Sequence, residues 1–296
     1  MIATLPQVGP VPEHAVRPAT LAAFEAVLRE RFGLGRLSRH PDALARRLAA
    51  AMEACGRAGG DCGAFVRELA TAPDRAPEVV AVADLVPNHE TSFFRDVDQL
   101  RSALETLVPP RAASLPPHQP LRILCAGCAT GEEVYSVAML ALDVLHVLWG
   151  RPVEIVGVDL SPKAISAAAD GLYRSESLCR AGPGPQDWQR RFLRQVPGGT
   201  AVRQLLREMT RFAVANLVTP RSLAAVGRFD LVLCRNVLIY FDAPSADRAL
   251  AALAESLRPG GALVLGHAEM GSLVDRVHGL RASPELAWFE PTEVTR

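Results

Sequence analysis

The sequence predicts an α/β fold built on a parallel sheet, preceded by an all-helical region and interrupted by one insertion. Residues 17–90 carry helical periodicity without a convincing strand, whereas short apolar runs alternate with helical segments from residue 121 onward. Strands that alternate with helices are joined by right-handed crossovers, and such crossovers produce a parallel sheet. The chain has 296 residues, which fits about two domains of ~150 residues each.

The N-terminal region is expected to contain four helices after a loose tail over residues 1–16. Each carries apolar residues at helical spacing, as in the first helix, where Leu21, Phe24 and Leu28 share a face. Capping side chains and first-turn prolines predict where the helices begin, and glycines predict where two of them end. These boundary residues are Thr20, Gly33, Pro41, Gly56, Asp61 and Pro77.

A linker over residues 91–120 joins this region to the α/β domain. We expect the linker to hold a helix over residues 93–107. Paired prolines at 109–110 and 116–117 are expected to end that helix and mark an extended connection.

The α/β domain is expected to span residues 121–296. A long helix is predicted at 132–149, and Ser161 is expected to cap the next one. The alternation of strands and helices breaks between about residues 171 and 210, which predicts an inserted segment. The expected strands lie at residues 121–126, 153–158, 212–215, 229–234 and 262–265.

The charge balance argues against one class of partner. Lys plus Arg and Asp plus Glu both number 32, whereas bulk nucleic-acid binding needs positive charge to displace counterions. No apolar stretch reaches the ~20 residues that a membrane-spanning helix needs. We therefore expect neither nucleic-acid binding nor membrane insertion.

The six cysteines are expected to be reduced thiols in the cytoplasm, because no secretory signal opens the chain. Cys125 and Cys128 have the spacing of half a zinc site. No second pair and no nearby histidine completes that site, so we expect no bound metal.

A glycine turn follows the first predicted strand and leads into the long helix. The spacing Gly127-x3-Gly131 differs from the G-x-G-x-x-G of NAD and FAD sites, which argues against a pyrophosphate-binding loop. Asp159 stands at the end of the second predicted strand, where a carboxylate can accept hydrogen bonds from both hydroxyls of a ribose. The alternative is a local role for Asp159 in the loop before the helix that Ser161 caps.

A further polar group follows the strand predicted at residues 229–234. Arg235, Asn236 and Tyr240 are expected at the carboxyl edge of the sheet, where ligands bind in open α/β folds. The alternative is that they simply end the strand. A glycine turn, a ribose-binding acid and such a strand, in this chain order, are typical of a class I S-adenosylmethionine-dependent methyltransferase domain with a Rossmann-like fold.

Several longer motifs occur in order along the chain: T-x-F-F-R at residues 91–95, AGCATGEEVYS at 126–136, RNVLIYFD at 235–242 and GHAE at 266–269. With these motifs the chain resembles the chemotaxis receptor glutamate O-methyltransferase family, CheR type, over roughly residues 20–290. The resemblance implies a helical N-terminal domain, a linker, and a methyltransferase domain whose insertion is a small antiparallel β-subdomain. It also implies S-adenosylmethionine as cofactor, S-adenosylhomocysteine as product and a chemoreceptor-like protein as the methylated partner.

The resemblance also implies roles for individual residues. Arg95 and Tyr240 are the catalytic candidates. No acid ends the first strand, where many methyltransferases bind the cofactor's amino group, so Glu133 is the expected substitute. Asn216 is expected at the adenine edge with Leu217 packed nearby. The cofactor contacts are His89, Thr91, Arg95, Gly127, Glu133, Asp159, Asn216, Leu217, Arg235 and Asn236.

Methyl transfer to a carboxylate needs no catalytic base. A glutamate carboxyl has a pKa of ~4.3, so the acceptor is ionised at neutral pH and attacks the methyl group in line. The protein's contribution is then alignment, with the reacting atoms held ~3–3.5 Å apart. Arg95 can orient a carboxylate through its planar fork, with the cofactor's carboxylate favoured over the acceptor's. Tyr240 can position the acceptor oxygen.

The second helix departs from the family's pattern. Well-studied members carry a row of basic residues there, whereas here Arg46-Arg47-Leu48 leads into three alanines, and residues 15–85 hold ten arginines against nine acids. Electrostatic attraction to an acidic receptor helix is therefore expected to be weak. Two alternatives stay open: a methyltransferase of this fold that acts on another protein or a small carboxylate, and a cofactor-binding signalling module without catalysis. We expect a monomer.

Overall fold

The computed structural model describes residues 16–35, 41–87, 90–144, 151–273, 280–283 and 288–291. The helices are α1 Pro18–Phe32, α2 Pro41–Ala54, α3 Cys62–Thr71, α4 Pro77–Leu85, α5 Val97–Ser114, α6 Glu132–Val144, α7 Pro162–Asp170, α8 Ser175–Cys179, α9 Trp188–Phe192, α10 Gln204–Met209, α11 Ala243–Glu255 and α12 His267–Leu273. The strands are β1 Leu121–Ala126, β2 Val153–Asp159, β3 Leu172–Tyr173, β4 Leu193–Val196, β5 Gly199–Val202, β6 Thr210–Val214, β7 Phe229–Cys234, β8 Leu257–Leu265, β9 Leu280–Ser283 and β10 Trp288–Pro291.

The central sheet has seven strands in the order β6-β2-β1-β7-β8-β10-β9. The strands from β6 to β8 are parallel, and β10 and β9 join antiparallel at the edge. Strand β1 pairs with β2 through Leu121 and Val153 and with β7 through Ile123 and Leu231. The chain leaves β1 toward β2 on one side and returns to β7 on the other, so the strand order reverses between β1 and β7. Ligands of open α/β sheets bind at the carboxyl ends of the strands beside such a reversal.

The inserted segment forms the antiparallel β-subdomain that the resemblance implies. Strands β3, β5 and β4 make a three-stranded sheet in that order, with Tyr173 opposite Thr200 and Leu193 opposite Val202. The fold class expected from the sequence is thus confirmed, including the helical N-terminal region and the inserted sheet.

The four N-terminal helices pack into one continuous core with one face of the central sheet. Phe24, Leu48 and Phe65 are fully buried and belong to the same apolar cluster as Leu124 of β1 and Val156 of β2. Burial of each such side chain contributes about 1.5–3 kcal/mol. Apolar contacts, and not the intrinsic stability of its short helices, therefore hold the helical region against the sheet.

Two helices begin at places that the sequence did not predict. Helix α1 begins at Pro18 and is not capped by Thr20, because the fixed φ of proline suits the first helical position. Helix α5 begins at Val97, four residues after the predicted start, since Phe94 and Asp96 have φ values of 55° and 49°. These left-handed conformations are incompatible with a right-handed helix.

The prediction that prolines end the linker helix was wrong. Helix α5 continues through Pro109 and Pro110 to Ser114. Each proline removes one backbone donor, but Val108 and Ala112 are buried on either side of the pair. Packing of these side chains therefore holds the helix together across the prolines.

Most predicted strands and caps agree with the structure, with shifts at some ends. Strands β1 and β7 have the expected bounds, β2 extends one residue further, β6 covers residues 210–214, and β8 begins five residues early. Ser161 and Asp61 cap α7 and α3 as expected, and Asp242 caps α11. The predicted helix at 132–149 is described as far as Val144, and its last residues lie outside the described part of the chain.

Candidate active site

A cleft of ≈ 950 Å³ opens at the carboxyl ends of β1, β2 and β7. It lies where the strand order reverses, as expected for a ligand site in this fold. Every predicted site residue in the described part of the chain lines it, whereas His89 lies outside the described residues. These lining residues are Thr91, Arg95, Gly127, Glu133, Asp159, Asn216, Leu217, Arg235, Asn236 and Tyr240.

The glycine turn has room for no side chain at either of its glycines. Gly127 has a φ of 74°, and a Cβ there would lie 2.3 Å from Val237 Cγ2. Gly131 has a φ of 92°, and its Cβ would lie 2.8 Å from Ala168 Cβ. The turn thus packs closely against the segment after β7 on one side and α7 on the other.

Asp159 connects the turn to the end of β2. Its Oδ2 accepts a hydrogen bond from Ala129 N at 2.8 Å, and its Oδ1 accepts one from Ser161 N at 3.0 Å. Ser161, and not Asp159, caps α7. The carboxylate therefore organises two backbone segments while it faces the cleft.

The guanidinium of Arg235 bonds to several other residues of the protein. Its Nε donates to Gln99 Oε1 at 2.9 Å, Nη1 donates to Glu133 Oε2 at 3.0 Å, and Nη2 donates to Arg95 O at 2.7 Å. Nη2 also lies 3.3 Å from an oxygen of Asp96. The side chain has no exposed surface, so Arg235 shapes the cleft wall by holding three segments of the chain together.

Glu133 presents a buried carboxyl group to the charged end of the cleft. Burial raises the pKa of this carboxyl, while the nearby guanidinium groups of Arg235 and Arg95 act in the opposite direction. A carboxylate held in this way can bind a cationic group of a ligand, which would favour its ionised form.

The two catalytic candidates reach the cleft from different segments. Arg95 lies half-buried in the segment before α5 and donates from Nη1 to Glu90 O at 3.2 Å. Tyr240 ends a 3-10 turn over Leu238–Tyr240. Burial lowers the pKa of Arg47 on α2, and nearby Tyr240 opposes that shift. Helix α2 thus brings a guanidinium close to Tyr240.

Asn216 uses its side chain to join the sheet to the N-terminal helices. Its Nδ2 donates to Arg31 O at 2.6 Å, and its Oδ1 accepts from Val218 N at 3.1 Å. Leu217 is buried beside it in the cleft wall. Asn216 also lines the cleft, and its amide nitrogen carries a second hydrogen besides the one that Arg31 O accepts.

Sequence reasoning missed the contribution of the α1 end to the cleft. Phe32 and Leu34 line it and are almost completely buried. Gly33, with a φ of 77°, allows the approach, since a Cβ there would lie 2.8 Å from Val218 Cγ1 and 2.9 Å from Phe241 Cε2. The only local signal of this approach is the pair of glycines on either side of Leu34. The residues contacted, Val218 and Phe241, lie far away in the sequence.

Cys125 and Cys128, which lie just before and within the turn, are buried, and burial raises the pKa of both thiols well above the usual range. Within the described ranges no group of three or more His, Cys, Asp or Glu side chains is placed to hold a metal ion. The same residues include no helix that is long and apolar enough to cross a membrane.

Comparisons with known proteins agree with this geometry. A family model described as CheR methyltransferase, SAM binding domain matches residues 89–281. The chain is 35% identical over 211 residues to chemotaxis protein methyltransferase 1 of Pseudomonas aeruginosa, covering 70% of this chain and 76% of that protein. It is 31% identical to a chemotaxis protein methyltransferase of Vibrio anguillarum, covering 76% and 80%. It is 33% identical to the probable biofilm formation methyltransferase WspC of Pseudomonas putida, covering 87% of this chain but 58% of that protein.

Proposed function

The chain belongs to the CheR methyltransferase family, and we propose that it transfers a methyl group from S-adenosylmethionine to glutamate side chains of a chemoreceptor-like protein. The products are a glutamyl methyl ester and S-adenosylhomocysteine. The observation that carries this proposal is the cleft at the strand reversal, whose walls include residues of the motifs at 91–95, 126–136 and 235–242.

The chemical character of the cleft fits the proposed cofactor. One part of its wall is apolar and includes Phe32, Leu34 and Leu217, while another is charged and includes Arg95 and Glu133. An adenine ring suits the apolar part, and an amino-acid group suits the charged part. Gly127 of the turn lines the cleft as well. The cleft thus offers a complementary surface to each part of S-adenosylmethionine.

Glu133 and Asp159 are proposed to bind the polar groups of the cofactor. Glu133 is proposed to accept from the α-ammonium group, with Arg235 fixing the direction of its carboxylate through the 3.0 Å contact. Asp159 is proposed to accept from the ribose hydroxyls, since it lines the cleft at the end of β2. Arg95 is proposed to bind the cofactor carboxylate, and the remaining Asn216 N–H is proposed to meet the adenine edge.

The protein's residues then have to align two reactants. When bound, S-adenosylmethionine supplies an electrophilic methyl group on a sulfonium sulfur. An oxygen of the acceptor glutamate forms the new C–O bond as the methyl–sulfur bond breaks, and no proton moves because the carboxylate is already ionised. Tyr240 is proposed to hold the acceptor oxygen in line with the methyl group, which is a major source of rate in such displacements.

We propose that the protein acts as a monomer. We propose the cytoplasm as its location, since the cofactor is made there. The N-terminal helices are nearly neutral in charge. We therefore propose that the preferred partner is a chemoreceptor whose methylation region is weakly charged.

Calorimetry with S-adenosylhomocysteine tests the cofactor site. We expect binding in the micromolar range for the natural chain and a loss of about tenfold or more for Asp159→Ala, which removes two backbone contacts as well as the ribose acceptor. Asp143→Ala is the matched control, because Asp143 pairs with Arg191 outside the cleft. Equal binding by all three proteins would refute the site.

Transfer of labelled methyl groups tests the substrate. Incubation with cytoplasmic fragments of chemoreceptors should give label that mild base releases as methanol, as expected for a carboxyl methyl ester. Base-stable label would indicate a different acceptor atom. Label on another protein with none on the receptor fragments would move the function to a related methyltransferase.

A further inference from the structure

The inserted sheet reaches the glycine turn through one hydroxyl group. Tyr173 lies in β3, the first strand of the insertion, and its ring is buried. Its hydroxyl donates to Thr130 O at 2.8 Å. Thr130 is a residue of the turn itself, between Gly127 and Glu132, so the insertion touches the backbone that forms the cleft.

We propose that Tyr173 is a positioning residue of the cofactor site, which sets the conformation of the glycine turn through Thr130. The proposal rests on the proposed function, because it assumes that this turn binds S-adenosylmethionine. It assigns to the insertion a role in cofactor binding, separate from any contact with the methylated partner.

The turn depends on outside contacts because its backbone is unusual. Ala129 has a φ of 47° and Gly131 a φ of 92°. A left-handed conformation at a residue with a Cβ costs about 1–2 kcal/mol, so the surrounding contacts must hold it. Asp159 Oδ2 holds the turn at Ala129 N from the side of β2, and Tyr173 holds it one residue later from the side of the insertion.

A second contact ties the same turn to the insertion. Thr130 Oγ1 donates to Glu132 Oε2 at 2.6 Å, and Glu132 is almost completely buried. The side chain of Ser177 on α8 favours the ionised form of the Glu132 carboxyl and so acts to lower its pKa. Thr130 therefore contacts the insertion directly through its carbonyl and indirectly through its side chain.

The insertion also holds the segment that carries Arg95. Gly182 N donates to Phe93 O at 2.7 Å. The Phe93 ring lies 4.8 Å from the ring of Tyr173 and 5.3 Å from that of Trp188. The aromatic contact places Tyr173 between the glycine turn and the segment that carries Arg95. The direction of its hydroxyl is therefore fixed.

The test compares Tyr173→Phe with Tyr135→Phe. Tyr135 is a matched control, because it is buried, its ring lies 6.2 Å from that of Tyr173, and its hydroxyl donates at 2.9 Å to Ala168 O on α7 and not to the backbone of the turn. We expect Tyr173→Phe to raise the Kd for S-adenosylhomocysteine and the KM for S-adenosylmethionine by about fivefold to tenfold, the effect of one hydrogen bond. The kcat at saturating cofactor and the KM for the protein acceptor should stay unchanged.

The control separates positioning from general stability. Both variants are expected to lower Tm by a similar amount, but Tyr135→Phe should leave the Kd within about twofold. An unchanged Kd in Tyr173→Phe, or an equal rise in both variants, would overturn the proposal. If the natural chain fails to bind S-adenosylhomocysteine, the proposed function falls and this inference falls with it.

A second variant keeps the proposal testable if Tyr173→Phe does not fold. Ser177→Ala removes the hydroxyl through which the insertion acts on the Glu132 carboxyl, and we expect a smaller rise in Kd, of about twofold to threefold. No rise in that variant would then count against the insertion as a support of the turn.

Discussion

Arg235 donates a hydrogen bond to Glu133 across the sheet reversal, with 3.0 Å between Nη1 and Oε2 and no exposed surface on the arginine. The contact joins the residue after β7 to the first turn of α6. Glu133 faces the cleft, whereas the donors of Arg235 go to the protein. We propose that the arginine of the R-N-V-L-I-Y-F motif serves the cofactor by fixing the Glu133 carboxylate, which is proposed to bind it.

Replacement of Arg235 by lysine should separate charge from geometry. An ammonium group keeps the charge but cannot bond Gln99, Glu133 and the Arg95 carbonyl together, because it lacks the planar fork. We expect Arg235→Lys to lower Tm and to raise the Kd for S-adenosylhomocysteine by about tenfold or more. Arg190→Lys, at an exposed pair with Asp187, is the control and should change neither value. If Arg235→Lys retained the affinity for S-adenosylhomocysteine, the Glu133 carboxylate would not need a planar guanidinium to hold it in place.

Cofactor binding should tighten as pH rises through the pKa of Glu133. Burial raises this pKa above its usual range in the absence of ligand, and a bound ammonium group would lower it, so binding releases protons. The effect is therefore largest on the acidic side of neutrality and fades above the raised pKa. Calorimetry between about pH 5 and pH 8, in buffers of different ionisation enthalpy, measures the affinity and the protons released.

Glu133→Gln is the control for this pH effect. It should bind S-adenosylhomocysteine more weakly at neutral pH and lose most of the dependence on acid pH. If the dependence persists in Glu133→Gln, another group is responsible. The buried Glu132, whose pKa burial also raises, would then be the next candidate.

The positions of β1, β2 and β7 could be predicted because each is a short, mainly apolar run that a glycine turn or polar residues follow. That pattern is local, and it placed Asp159, Arg235 and Asn236 at the correct edge of the sheet. The bonds of Arg235 could not be predicted in the same way. Its partners Gln99 and Glu133 lie more than a hundred residues away in sequence. The local sequence does not distinguish an arginine whose guanidinium is buried against the protein from one that contacts a ligand.

Long-range packing also explains why some predictions made from the sequence were wrong or incomplete. Helix α5 crosses Pro109 and Pro110 because buried neighbours hold it, although proline is a strong local signal to stop. Phe32 and Leu34 reach the cleft because α1 packs against Val218 and Phe241. Such contacts between distant segments override local propensity and have no periodicity that could reveal them.

Gly127→Ala should abolish cofactor binding through a steric clash. The added Cβ would lie 2.3 Å from Val237 Cγ2, so either the turn or the segment after β7 must move. Gly59→Ala is the matched control, because Gly59 has a similar φ of 72° and no atom within 4 Å of the added Cβ. We expect the control to lose about 1–2 kcal/mol of unfolding free energy from backbone strain alone. Similar affinities for S-adenosylhomocysteine in both variants would argue against close contact as the reason for the glycine.

Tyr240→Phe should reduce kcat without weakening the binding of the cofactor. The hydroxyl is proposed to position the acceptor oxygen, while the ring and the 3-10 turn that carries it keep the cleft wall in place. We therefore expect a fall in kcat of roughly tenfold, the loss of one aligning hydrogen bond, and an unchanged Kd for S-adenosylhomocysteine. Steady-state methylation of receptor fragments and calorimetry give the two values. Tyr135→Phe should change neither, since its hydroxyl bonds Ala168 outside the cleft. A rise in Kd with kcat unchanged would instead assign Tyr240 to cofactor binding.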